Sequence, residues 1–154
     1  MSSTENLVLQ LRQILPDILR DTPVTLAYLY GSRALGQYLP SSDVDIALLL
    51  CPENGQPLSL SPTERMQLEF GVEGALEEQG VLNADVRIVD DLPLTFRGEV
   101  AIHGLRLFSR DEVARVEFET QTWKAYLDFM PVVRMMQEAL FDHVKTHGLS
   151  PRKP

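Results

Sequence analysis

Residues 43–50, DVDIALLL, set two aspartates directly against an unbroken apolar run. Five apolar residues follow Asp45, bounded upstream by Pro-Ser-Ser and downstream by Cys-Pro. A run of this length between turn residues reads as a strand apolar enough to lie centrally in a sheet. Residues two apart on a strand point the same way, so Asp43 and Asp45 project side by side from its entrance. Two carboxylates held that close repel, and without a partner one of them has its pKa raised. A divalent cation removes the conflict: carboxylate oxygens are hard ligands, and Mg²⁺ takes one or two of them together with phosphate oxygens and water. The pair is therefore a candidate Mg²⁺ clamp for a nucleotide.

Gly31-Ser32, separated from Asp43 by ten residues, stands at the end of a second apolar segment, VTLAYLY (24–30). Glycine lets a backbone approach a phosphate, and the first N–H groups of a helical turn face outward without partners. The Ser32 hydroxyl can add a bond to a phosphate oxygen. Arg33 follows, with a guanidinium able to grip phosphate through two parallel bonds. Ser42, beside the first aspartate, is counted with these nucleotide-binding residues. A third strand, ADVRIVDD (84–91), alternates cleanly: Val86 and Ile88 on one face, Asp85 and Arg87 on the other. Were it to neighbour the Asp43/Asp45 strand, Asp85 would complete a set of three acids. Such a set suits two metal ions and a triphosphate. Arg87 shares the face of Asp85 and can pair with it.

The remaining segments place helices around these strands. Residues 5–20 form an amphipathic helix that Pro16 bends or splits. Ser61-Pro62-Thr63-Glu64 is a helix start with a capping box, and that helix runs to about Gln79 before Gly80. Residues 93–104 are helical, LRLFS (105–109) is a short strand, and 111–147 is helical again, broken or kinked into two helices at Pro131. The expectation is one α/β (α+β) domain over residues 1–147, a small mixed sheet flanked by helices with C-terminal helices, and a basic flexible tail over 148–154.

The motif Gly-Ser, ten residues, Asp-x-Asp resembles the signature of the polymerase-β-type nucleotidyltransferase superfamily, with the spacing of its minimal nucleotidyltransferases. ADVRIVDDLP resembles the family's third-carboxylate strand, and residues 103–132 resemble its C-terminal part. The resemblance implies that Asp43, Asp45 and Asp85 are the catalytic, Mg²⁺-holding acids, with two ions expected. It implies that Gly31 and Ser32 hold the triphosphate of ATP. Family members of this size commonly accompany a HEPN-domain toxin, an RNase, as its antitoxin. The implied activity is transfer of AMP from ATP to a tyrosine hydroxyl of that toxin. Transfer to a small molecule, or neutralisation by binding alone over a vestigial or regulatory nucleotide site, are the alternatives.

Composition sets limits on partners. The chain has 154 residues, 44% of them hydrophobic, and a formal net charge of -8. That balance disfavours a broad grip on nucleic acid. No segment has the apolar length of a membrane span, and a single cysteine, Cys51, fits a reducing cytoplasmic setting. Cys51 reads as a packed small residue. His143 and His147 share a helix face without a third ligand, and His103 reads as locally bonded. Trp123, Tyr126, Phe129, Met130, Met135 and Met136 read as core, with partner docking as the second reading.

Overall fold

The computed structural model describes residues 2–51 and 58–149. The elements follow in the order α1 (Ser3–Ile18), β1 (Leu26–Tyr30), α2 (Gly31–Ala34), β2 (Val44–Leu49), α3 (Pro62–Glu78), β3 (Ala84–Ile88), α4 (Leu94–His103), β4 (Leu105–Ser109) and α5 (Glu112–His147). The expected mixed sheet is present, in the order β3-β2-β1-β4. β1 runs antiparallel to both β2 and β4, while β2 and β3 are parallel and joined through α3. Residues 52–57, between β2 and α3, and most of the expected tail lie outside the described residues.

Period-two alternation divides the sheet into two apolar faces. Leu29, Ile46, Leu48, Val86 and Ile88 pack against Leu11 and Leu15 of α1 and Val72 and Leu76 of α3. Leu26, Tyr28, Ala47, Leu49 and Val89 pack on the opposite side with Val100 of α4 and, partly buried, Phe118 of α5. The parity of β2 therefore puts Ile46 and Leu48 under α1 and α3, and Asp45 on the α4 side. Burying each of those large side chains stabilises the fold by about 1.5–3 kcal/mol.

Both sheet edges are covered by side chains. Glu73 and Glu69 of α3 accept from the backbone N–H groups of Val86 and Ile88 at 2.9 and 3.0 Å, closing the outer edge of β3. Arg12 of α1 donates to the Arg106 carbonyl of β4 at 3.0 Å. Exposed strand edges invite pairing with other chains, and these bonds occupy two N–H groups of β3 and one carbonyl of β4.

The helix starts follow their sequence signals. Ser61 caps α3 with the full reciprocal box to Glu64 and Pro62 in the first turn. Asp111 caps α5 by accepting from Val113 and Ala114. Two expectations about proline are corrected. Pro16 does not split α1: it falls in the last turn, and only Asp17 and Ile18 of the helix follow it. Pro131 does not divide the C-terminal region: α5 is one helix of 36 residues. Pro131 is exposed, so water can satisfy the carbonyl its ring displaces. The core reading of the aromatic and methionine stripe is also corrected. Trp123, Met135 and Met136 are 53%, 69% and 65% exposed, on a helix in which Thr122 alone is buried among the described residues.

Helices α4 and α5 touch at Gly98, where an added Cβ would run into the ring of Tyr126. The Tyr126 hydroxyl donates to Glu99 at 2.9 Å, which holds that ring in place. Helix propensity favours alanine over glycine by about 1 kcal/mol, but overpacking costs about 1–3 kcal/mol. Gly98→Ala should therefore lower the free energy of urea unfolding. Gly74→Ala, exposed in α3 with nothing near its Cβ, should raise it by about 1 kcal/mol. The same sign for both would contradict this packing.

Candidate active site

The site grows from the register of three strands. Asp45 of β2 pairs with Tyr30 of antiparallel β1 and with Asp85 of parallel β3. Residues opposite one another on neighbouring strands point to the same face about 5 Å apart. Tyr30, Asp45 and Asp85 thus form a row across one end of the sheet. Asp43, just before β2, is exposed at the same end, whereas Asp45 and Asp85 are half-buried. The neighbourhood that the sequence required for Asp85 is present.

Gly31 follows Tyr30 directly and has φ +72, a conformation that favours glycine. A Cβ there would lie 2.5 Å from the Asp45 carboxylate oxygen Oδ2. Glycine is therefore required twice, by the backbone angle and by the carboxylate against it. The turn α2 starts here and carries Ser32, which is half-buried, as its second residue. Thr4 of α1 donates its hydroxyl to the Arg33 carbonyl at 3.1 Å and braces the turn from below.

Arg33 and Ser42 are joined to each other. Arg33 donates from Nε and Nη2 to the Ser42 carbonyl at 3.1 and 2.9 Å, and from Nη2 to the Pro40 carbonyl at 3.4 Å. Its guanidinium carbon sits 4.8 Å from the centre of the Tyr38 ring, a cation–π distance. The Ser42 hydroxyl accepts from the Leu39 N–H at 2.9 Å. Both residues thus tie the Gly-Ser turn to the loop that delivers Asp43.

Electrostatics mark the row as unbalanced. Burial, then the charges of Asp85 and Asp43, push the Asp45 carboxyl above the ordinary carboxylate range. Burial, then Asp45 and Asp85, push the Tyr30 phenol up to about 12, so it stays protonated at neutral pH. One cation relieves the set: Arg87 Nη2 lies 3.5 Å from Asp85 Oδ2, the pairing anticipated from their shared face. Among the described residues no three His, Cys, Asp or Glu side chains form a ready metal-ligating group. The donor set nevertheless fits a hard divalent cation: Asp43 and Asp45 two positions apart, Asp85 in register, and an Asp45 carboxyl raised by burial and then by the other two acids.

Tyr30 was not singled out in the sequence, although its position directly before Gly31 was the signal for it. Its ring packs edge-on against Phe96 of α4 at 5.3 Å between centroids, which walls the site on the α4 side. Of the residues set aside, His103 lies 3.8 Å from Glu99. His143 and His147 stack on each other at 4.6 Å. Cys51 is half-buried, and burial followed by the Asp90 charge pushes its thiol up to about 12. A thiol so raised is a poor nucleophile at neutral pH.

Two predictions come from this geometry. Folding favours the protonated form of Asp45. That contribution is complete below the ordinary aspartate value of 3.8 and is lost as pH rises through the raised folded value. In metal-free buffer Asp45→Asn should therefore raise Tm, by about 1–3 °C at neutral pH. The gain over wild type should shrink as pH is lowered towards the ordinary aspartate range. Gly31→Ala should lower Tm, by about 2–6 °C for a cost near 1–2 kcal/mol, and should weaken nucleotide binding, as read by calorimetry.

Comparison with known proteins places this geometry. A chain of a crystallised toxin–antitoxin complex with AMP-PNP matches with TM-score 0.60 and 22% identity, over 87% of this chain and 98% of that chain. A chain of the MntA–HepT toxin–antitoxin complex matches with TM-score 0.57 and 22% identity, over 89% and 97%. A chain from the tri-AMPylated Shewanella oneidensis HEPN toxin in complex with MNT antitoxin matches with TM-score 0.52 and 18% identity, over 84% and 98%. These likenesses establish a shared fold. No curated protein matches the chain. The family model described as polymerase beta, nucleotidyltransferase, matches residues 13–113, which run from α1 through the whole sheet and all three acids, and the chain belongs to that family.

Proposed function

We propose that this protein is an antitoxin that transfers AMP from ATP to a tyrosine hydroxyl of a HEPN-type RNase toxin. The observation that carries the chemistry is the register of Asp45 with Asp85, with Asp43 beside them and the Gly31-Ser32 turn against Asp45. The partner is supported by the likeness in fold to chains of toxin–antitoxin complexes, one of them holding a tri-AMPylated HEPN toxin.

In this reading Asp43, Asp45 and Asp85 hold Mg²⁺, and Gly31 and Ser32 receive the triphosphate, with Arg33 and Ser42 fixing the loop around it. Bound Mg²⁺ supplies charge neutralisation at the attacking and leaving oxygens. The acceptor tyrosine oxygen attacks the α-phosphorus in line. The bond from that phosphorus to the bridging oxygen breaks, and pyrophosphate leaves. Asp85, partly exposed at the row's end, is placed to take the phenolic proton. Most of the rate comes from positioning and from charge stabilisation.

The protein's charge suits the partner. An RNase must present basic surface to RNA, and the antitoxin carries a formal net charge of -8. The same charge disfavours direct binding of nucleic acid. Among the described residues no helix is long and apolar enough to cross a membrane. We place the protein in the cytoplasm, with its toxin.

The test is incubation of the protein with purified toxin, Mg²⁺ and ATP labelled at the α-phosphate. Label should appear on the toxin and depend on Mg²⁺. Asp43→Asn and Asp45→Asn should each reduce it by at least about 100-fold while retaining a cooperative unfolding transition. Tight binding of the toxin without any label would favour neutralisation by binding alone. Label on a small hydroxylated acceptor, and none on the toxin, would favour the small-molecule reading.

A further inference from the structure

Helix α5 carries an apolar seam that the sheet does not cover. Val116, Trp123, Leu127, Met130, Phe141 and Val144 recur at alternating spacings of three and four, with Thr120, Arg134 and Gln137 in the intervening seam positions. That is a heptad pattern, the signature of helix pairing along a seam. Val116, Trp123, Leu127 and Phe141 are all more than half exposed. The seam is distinct from the face that packs on the domain, where Thr122 is buried and Tyr126 meets Gly98. A groove of about 340 Å³ opens beside it between Ala101 and Ile102 of α4 and Thr120 and Trp123 of α5.

The charges flanking the seam say what fills it. One flanking row, at intervals of seven, reads Glu117, Lys124, Pro131, Glu138, Lys145. Reversed about Pro131, each acid falls on a lysine: Lys124 on Glu138, and Glu117 on Lys145. In an antiparallel pair of helices, flanking positions of the same type face one another across the seam. In the same register the seam itself brings Trp123 opposite Phe141. Lys124 and Glu138 are about 21 Å apart along one helix and cannot meet within a chain. Among the described residues Glu117, Lys124, Glu138 and Lys145 make no ion pair, and all four are exposed.

From this pattern we infer that α5 pairs with α5 of a second copy of this chain, antiparallel, about a two-fold axis near Pro131. The second helix lies along the seam and over the α4–α5 groove. Arg134 and Gln137 fall near the centre of the pair, where polar seam residues fix register at some cost in affinity. None of the seam residues belongs to the row around Asp45.

Sedimentation of the full chain across micromolar concentrations tests this. Wild type should show a reversible monomer–dimer equilibrium. Lys124→Glu and Glu138→Lys each place like charges opposite one another twice in the dimer. Each should raise its dissociation constant by about tenfold or more at low salt. The double variant Lys124→Glu/Glu138→Lys restores the pairing and should return the constant to near the wild-type value. All variants should keep the wild-type Tm measured at monomer concentrations, since both residues are exposed. A chain that stays monomeric at every concentration would overturn the proposal, also if its seam proves to be covered by toxin in a mixed complex. Single reversals without effect, or a double variant no better than the singles, would overturn the antiparallel pairing.

Discussion

Asp45 is the residue on which the rest of the site depends. It sits on a strand flanked by an antiparallel neighbour and a parallel one, so it has register partners on both sides, Tyr30 and Asp85. Ile46 and Leu48, fully buried beneath α1 and α3, fix which way it points. A slip of one residue would turn those two side chains to the other face and Asp45 into the core. The hydrophobic effect, which knows nothing of charge, is thus what sets the geometry of the carboxylates.

Magnitudes explain why the arrangement survives. Two unit charges about 4 Å apart repel by about 1 kcal/mol in water and about 4 kcal/mol near a protein surface. The half-exposed position of Asp45 and Asp85 keeps the cost towards the lower end, and Arg87 offsets part of it. Burial of Ile46 and Leu48 together contributes about 3–6 kcal/mol. The strand can therefore carry its acids without a cation and still fold, leaving their mutual repulsion available to favour the binding of one. Gly31 adds the second constraint, since only a residue without a Cβ lets the turn close against Asp45.

The strands and the acids were legible because their signals are local. Apolar runs bounded by turn residues marked β1, β2 and β3, and parity alone put Asp85 and Arg87 on one face. The capping box at Ser61 fixed the start of α3 to the residue. What could not be read were relations that only the assembled fold creates. Glu69 and Glu73 look like solvated helix residues, yet they close the edge of β3. Arg33 looks free to bind phosphate, yet it spans to carbonyls of Pro40 and Ser42. Trp123 and Met136 have the hydrophobicity of core residues, yet both stay exposed on a helix in which Thr122 alone is buried among the described residues.

That last mismatch separates two tasks in space. The acids sit at one end of the sheet, where Phe96 and Tyr30 provide one wall and the Gly31 turn another. Transfer to an acceptor needs that substrate held within van der Waals reach of the phosphorus. A folded protein can be held by contacts distant from the reacting atoms, and binding energy gained there is available for positioning at the site. The apolar surface of α5 outside its heptad seam, at Phe129, Val132 and Met136, is of the kind such contacts use. If the acceptor is a toxin, as proposed, these α5 residues, which lie outside the row around Asp45, are available to hold it.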